Sequence, residues 1–240
     1  MNQTIRIPYC ANAISDGFWS IEENGVRSFL IEGIAKAMLV DTGLGTGDIK
    51  SFAESLTTLP IFLINTHTDK DHIGCNDSFE KVKMHPAEVS YYQIKKPGNH
   101  TVVEFVNEGE VIDLGNRQFE IIHIPGHTPG SIVLFDRNNK LLLSGDSVQS
   151  SAIFMFGEGR NINTYIESLK KLEAMISDFV TILPSHGKIP LKAAIIPELI
   201  EGAQKVVNGA IAGQTPPISI PCKLYISGRA KFLLNIDPVS

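Results

Sequence analysis

Apolar residues recur along this chain with two different periods, and the switches between them mark its elements. Ile5-Arg6-Ile7 alternates and predicts a first strand. Residues 18–22 and 26–31 flank Glu23-Asn24-Gly25, which predicts a hairpin with glycine near its tip. Residues 37–40 read as a further strand, ending in Asp41-Thr42-Gly43. Residues 47–57 carry Ile49, Phe52, Ala53 and Leu56 at helical spacing, so an amphipathic helix is expected there. The run Ile61-Phe62-Leu63-Ile64, opened by Pro60, reads as a short buried strand. Residues 81–85 are expected to be a strand, with Pro86 opening a helix over roughly 87–95. Residues 111–114, 119–124, 131–135 and 140–143 look like an antiparallel series, with Arg137-Asn138-Asn139 as its last turn. Residues 164–176 set Ile166, Leu169, Leu172 and Met175 on one face and predict a second long helix. Residues 191–212 predict a third, and strands at 222–226 and 231–236 meet at Ser227-Gly228. The expectation is one α/β domain over 1–240.

Composition narrows the function classes. Hydrophobic residues at 43% and charged ones at 20% are ordinary for a globular protein. A net charge of −5 weighs against nucleic acid, whose phosphates need a basic face. No apolar run reaches the length of a membrane span, and no basic-then-apolar leader opens the chain. Cys10, Cys75 and Cys222 are an odd number at unrelated spacings, which suits reduced, mostly buried thiols. A cytoplasmic protein without membrane or nucleic-acid partners is therefore expected.

The polar breaks that follow four of the apolar runs carry the chemistry. After residues 61–64 comes Thr66-His67-Thr68-Asp69-Lys70-Asp71-His72, with four metal-competent side chains in six residues. His127 lies in Pro125-Gly126-His127-Thr128-Pro129-Gly130, Asp146 in Ser144-Gly145-Asp146, and His186 in Pro184-Ser185-His186-Gly187. Each again follows an apolar run and a Gly or Pro turn. A buried strand fixes where a loop begins, so such side chains converge without each being ordered separately. His85, His100 and His123 lack this context and are read as non-ligands. Cys75, three residues after His72, is expected to pack beside the site rather than bind metal.

On these motifs the chain resembles the metallo-β-lactamase fold superfamily, whose signature is His-x-His-x-Asp-His followed by a distant His, Asp and His. The resemblance covers nearly the whole chain. It implies an α/β fold, a four-layer αβ/βα sandwich of two mixed β-sheets flanked by helices. It implies two divalent metal ions, with His67, Asp69 and His127 at the first, Asp71, His72 and His186 at the second, and Asp146 bridging them. Imidazole with carboxylate suits zinc, with iron or manganese as alternatives. Asp41 is expected to support the ligands without touching metal. Such ions hold a hydroxide between them and polarise a substrate oxygen, which makes metal-assisted hydrolysis the reaction class. Asp71 would orient that hydroxide or take up its proton.

The chain departs from the family pattern at Asp69, where a second His is expected. Two divalent ions, two carboxylates and a hydroxide sum to about +1, and a third carboxylate brings the sum to about zero. Residues 153–160 are expected to border the site as a glycine-bearing lip, with Phe154 and Phe156 touching substrate and Arg160 meeting a substrate carboxylate. The leading expectation is a binuclear hydrolase of a small-molecule ester, thioester or lactone. Glyoxalase II enzymes share the bridging Asp, but too little chain follows His186 for their helical domain. Acyl-homoserine lactonases commonly carry a Tyr where this chain has Gln149. True β-lactamases are usually secreted and lack this Asp. The alternative is a di-iron oxidoreductase resembling flavodi-iron proteins, which place an acid at the position of Asp69 and would here need a separate flavoprotein partner.

Overall fold

The structure, a computed structural model, describes residues 9–217 and 219–235, so the strand expected at Ile5-Arg6-Ile7 lies outside the described residues. The chain opens with β1 (Cys10–Ser15), β2 (Phe18–Glu23), β3 (Val26–Glu32), β4 (Ala37–Val40), β5 (Ile61–Ile64), β6 (Lys81–Met84) and β7 (Val102–Phe105). These seven lie side by side in chain order, antiparallel as far as β4 and parallel beyond it. There follow β8 (Val111–Asp113), β9 (Gln118–His123), β10 (Ile132–Asp136), β11 (Leu141–Gly145), β12 (Ile153–Met155), β13 (Thr181–Pro184), β14 (Leu191–Lys192), β15 (Cys222–Ser227) and β16 (Ala230–Asn235). Six of them make a second mixed sheet in the order β14-β13-β11-β10-β9-β8, and β12-β16-β15 make a small third one. The helices are α1 (Ile49–Glu54), α2 (Val89–Lys95), α3 (Ile162–Ala174) and α4 (Ile195–Val207).

Strand alternation explains the layering, because successive side chains face opposite sides of a sheet. Met38 and Val40 of β4 pack with Leu134 of β10 and Leu143 of β11 in an apolar core between the two large sheets. Ala37 and Leu39 of β4 point the other way, onto Ile49 and Ala53 of α1 and Tyr92 of α2. Val133 and Phe135 of β10 face away from the first sheet, onto Leu169 of α3 and Leu199 of α4. Three apolar interfaces thus separate four layers, as the resemblance implies.

The differences from expectation have local causes. The helix expected over 191–212 is shorter at both ends. Leu191 and Lys192 pair with β13 at the sheet edge, and Gly209, at φ 66°, takes the left-handed conformation that ends a helix. Conversely, α3 begins two residues early, because the Asn161 side chain accepts from Thr164 N at 2.9 Å and caps it. The expected helix over 47–57 is capped by Asp48 and closes at Glu54. Strands β1, β7, β12 and β14 are additional to those expected, and β12 joins the expected hairpin of β15 and β16 in the third sheet. Among the described residues, no helix is long and apolar enough to cross a membrane.

Candidate metal centre

The candidate ligands meet where the ends of β5, β11 and β13 come together with the loop after β9. The centre is built from behind by Asp41, which follows β4 with φ 64°, a left-handed conformation that Asp tolerates better than most residues. Its carboxylate accepts from Thr66 N at 2.8 Å, Thr66 Oγ1 at 2.7 Å and His72 Nδ1 at 2.9 Å. The Thr66 hydroxyl, having donated to Asp41, accepts from His67 Nδ1 at 3.0 Å. His127 Nδ1 reaches Phe154 O at 3.0 Å, and His186 Nδ1 reaches Gly25 O at 2.8 Å. All four histidines therefore spend Nδ1–H on an oxygen acceptor, and that fixes Nε2 as the lone-pair nitrogen facing inward.

Those four nitrogens face three carboxylates and one another. His67, Asp69 and His127 form one compact set of ligand-capable atoms, and Asp71, His72 and His186 form another. In the first set Asp69 Oδ2 lies 3.6 Å from His67 Nε2 and 3.3 Å from His127 Nε2. In the second, Asp71 Oδ2 lies 3.2 Å from His186 Nε2 and 3.8 Å from His72 Nε2. Asp146 stands between the sets, 3.4 Å from both His72 Nε2 and His186 Nε2 and 3.9 Å from His127 Nε2.

The arrangement fits a cation. His67 and His127 bring two Nε2 atoms to 3.3 Å of each other, where bare lone pairs repel. His72 Nε2 and Asp146 Oδ1 are buried with no hydrogen-bond partner, which is costly for polar groups this deep. Electrostatics point the same way. Burial works against charge on His72, but the charges of Asp146, Asp71 and Asp41 raise its pKa well above the ordinary value. Burial would raise the Asp146 carboxyl, yet the charges of His72 and His186 hold it far below the usual range. Asp71 is likewise opposed by burial and brought down to about 2 by His72 and His186. A cluster with these properties is stabilised by positive charge at its centre.

Arg160 is not the outward-facing cation the sequence suggests. Its side chain is 6% exposed and turned inward, hydrogen-bonding Asp69 Oδ2 and the His127 carbonyl. Tyr91 adds a hydroxyl donor to Asp69 Oδ1 at 3.2 Å, and its ring lies under the Arg160 guanidinium. Burial would raise the Asp69 carboxyl, but the neighbouring His127 and His67 outweigh it and hold the group well below the usual carboxylate range. Phe154 and Phe156 pack on each other at 5.4 Å and border the approach to the centre.

Several supports escaped sequence reasoning. Glu88, fully buried in the turn before α2, accepts from Thr68 N at 2.8 Å and Gly130 N at 2.7 Å, joining the His67 loop to the His127 loop. Its acidic place at a helix start gave no hint of this. Arg27 of β3 donates to Pro184 O at 2.7 Å and Gly187 O at 3.1 Å, so the hairpin holds the His186 loop from both sides. His85 and His123 stack on each other at 3.8 Å, away from the centre, and Cys75 Sγ donates to Gly47 O. Cys10, unlike Cys75 and Cys222, is exposed.

Comparison with known proteins bears on the chain and its fold. The family model described as the metallo-beta-lactamase superfamily matches residues 21–186. The acyl-coenzyme A thioesterase MBLAC2 of Gallus gallus is 28% identical over 212 residues, covering 70% of this chain and 76% of its own. The hydroxyacylglutathione hydrolase GloC of Haemophilus influenzae is 34% identical over 89 residues, 35% of this chain and 40% of its own. Among solved structures, a metallo-beta-lactamase from Pontibacter korlensis superposes with a TM-score of 0.70 at 17% identity, covering 82% of this chain and 99% of that one.

Proposed function

The chain belongs to the metallo-beta-lactamase superfamily, and from that premise we propose that it hydrolyses a small thioester at a centre of two divalent metal ions. The observation that carries the reading is the set of four inward-facing Nε2 atoms, each fixed by an Nδ1 hydrogen bond, around Asp69, Asp71 and Asp146. The two sequence relatives reported above, an acyl-coenzyme A thioesterase and a hydroxyacylglutathione hydrolase, act by name on thioesters, which favours thioesters over lactones and oxygen esters and favours hydrolysis over the di-iron oxidoreductase alternative.

His67, Asp69 and His127 would hold one ion and Asp71, His72 and His186 the other, with Asp146 shared. Divalent ions held there acidify water and polarise a carbonyl oxygen. The chain's own groups do the rest. Asp71, whose side chain is about one-third exposed, faces the approach and orients the attacking water through its free carboxylate lone pairs. Asp41 and Thr66 keep His72 and His67 in register, so the donor set is preorganised rather than gathered on binding. In the overall change, water oxygen bonds the acyl carbon and the carbon–sulfur bond breaks. The thiol leaves with a proton, and the acid is released as its carboxylate with a second proton passing to solvent.

The test strips the protein with a chelator and reloads it with zinc, iron or manganese in turn. Metal content is counted beside release of free thiol from a thioester panel. About two ions per chain with metal-dependent thiol release is expected. Metal-free protein that turns over at the same rate, or loaded protein inert on every thioester, overturns the reading.

A further inference from the structure

A thioester has two arms, and the structure offers two recesses that meet at the metal centre. One is a cavity of about 550 Å³, a volume typical of small-ligand sites. Asp69, Asp71, Asp146 and His186 close one end of it. Its other walls are dominated by Ala152, Phe154, Pro216, Pro217, Leu224 and Leu233. The second is a groove of about 420 Å³ that also reaches Asp69 and Asp71, lined by Lys70, Tyr91, Lys95 and Glu158. Phe154 borders both recesses.

The floor of the first recess is the small third sheet. In its register Phe154 of β12 lies opposite Leu233 of β16, and Leu233 opposite Leu224 of β15. These three side chains form a row across one face. The neighbouring positions Ile153, Phe232 and Tyr225 form a row on the opposite face, packed in the core against α3 and α4. The core accounts for the inner row. The outer row is apolar although it faces the cavity, and Phe154 leaves 37% of its surface exposed. Beyond it, Gln214 pairs with Leu224 through two backbone hydrogen bonds, and Pro216 and Pro217 then close the far wall. Lys231, two residues before Leu233 on the same face of β16, is the cavity's charged side chain outside the ligand set. Its methylene stem extends the apolar row toward the rim.

The groove differs in chemistry. Arg160 is spent on Asp69 there. Lys95 Nζ stands 3.8 Å from Asp69 Oδ1, and the groove's cations Lys70, Lys95 and Arg160 equal its carboxylates Asp69, Asp71 and Glu158 in number. With Asp69 and Asp71 taken up as metal ligands, the cations outnumber Glu158 and face an anion. Lys95 also stands at the C-terminal end of α2, where the helix favours a cation and holds it in place.

We propose that the acyl chain of the substrate lies on the outer face of the third sheet, along Phe154, Leu233 and Leu224, while an anionic thiol carrier lies in the groove of Lys70 and Lys95; the placement rests on the thioester reading above. The scissile carbonyl then falls at the junction of the two recesses, beside Asp69, Asp71 and Asp146. The substrate class follows: thioesters of extended apolar acids on a thiol bearing phosphate or carboxylate groups. Each methylene that enters the cavity adds about fourfold to affinity for the acyl arm, until the cavity is full.

The experiment uses the metal-loaded protein and two probe series. The first is a set of straight-chain coenzyme A thioesters from acetyl to decanoyl, with the matching non-cleavable thioethers for binding by calorimetry. The second holds the acyl group fixed and exchanges coenzyme A for the uncharged thiol N-acetylcysteamine. Wild-type kcat/KM and thioether affinity should climb with chain length. Leu224→Gln should lower the octanoyl-to-acetyl ratio at least tenfold, and Lys70→Glu should lower the coenzyme A-to-N-acetylcysteamine ratio while sparing the chain-length slope. Thermal unfolding of both variants checks that each is folded, and Leu224→Met should keep the slope if Gln destabilises the chain. A flat chain-length profile, or a slope that answers to Lys70→Glu and not to Leu224→Gln, overturns the placement. Thioethers that bind with the expected slope while no thioester is cleaved would leave the placement standing and refute the thioester reading instead.

Discussion

Asp69 stands where the family resemblance leads one to expect a histidine, and Arg160 is bonded to it. A third carboxylate lowers the charge of the centre by one unit, and the guanidinium bonded to Asp69 Oδ2 returns it. The pair should therefore change together. Asp69→His alone strands a buried cation beside two imidazoles, at a cost of about 3–5 kcal/mol. Adding Arg160→Leu should recover most of that stability and restore metal binding. Denaturant unfolding and zinc titration of the wild type, both single variants and the double variant form the cycle, and additive losses would refute the coupling. Asp146→Asn probes the other carboxylate between the two sets. An amide keeps its shape and loses its charge, so one metal should be lost on dialysis against a mild chelator and turnover should fall at least a hundredfold. Retention of both metals with full activity would show that Asp146 serves only its turn.

Among the elements, the short ones matter most to the site. The Glu88 turn joins two ligand loops that are distant in sequence, and it does so at close range. A side chain at Gly130 would meet Glu88 Cγ at 2.7 Å, so glycine is required there. Glu88→Gln turns one acceptor into a donor facing backbone N–H groups, which should cost about 1–3 kcal/mol. Because Glu88 anchors Thr68 and Gly130, the first set, His67, Asp69 and His127, should lose metal affinity more than the second. Isotherms with resolved sites would show this, and equal weakening of both would contradict it. The ligand-bearing strands were legible because each is an apolar run ended by a sharp turn. The second-half helices were legible from their spacing. Strands β1, β7 and β12 were not: β7 and β12 are short, and β1, six residues of Cys10-Ala11-Asn12-Ala13-Ile14-Ser15, is largely exposed and carries few large apolar residues. The inward turn of Arg160 and the roles of Glu88 and Arg27 depend on partners 20 to 160 residues away, beyond any local signal.

At the scale of the whole molecule, the centre is a clasp between layers. His67, Asp69, Asp71 and His72 leave the first sheet after β5, whereas Asp146 and His186 leave the second after β11 and β13. Metal bound to both groups resists separation of the sheets. At a hundredfold excess over Kd each ion adds about 2.7 kcal/mol to stability, or roughly 5–10 °C in the unfolding midpoint of a chain this size. Calorimetry with and without chelator should show that drop, and an unchanged midpoint would mean that the folded chain does not bind metal in preference to the unfolded one.

The same clasp dictates the order of events in time. Its ligands span positions 67 to 186, and no subset within one sheet completes both halves of the centre. The pocket for the ions therefore does not exist until the two sheets have docked, which is late in folding because such distant contacts close last. Metal should then leave the refolding rate almost untouched and slow unfolding instead, since stabilisation absent from the transition state falls on the unfolding arm. In stopped-flow chevrons recorded at rising zinc, the folding limbs should superimpose while the unfolding limbs shift downward.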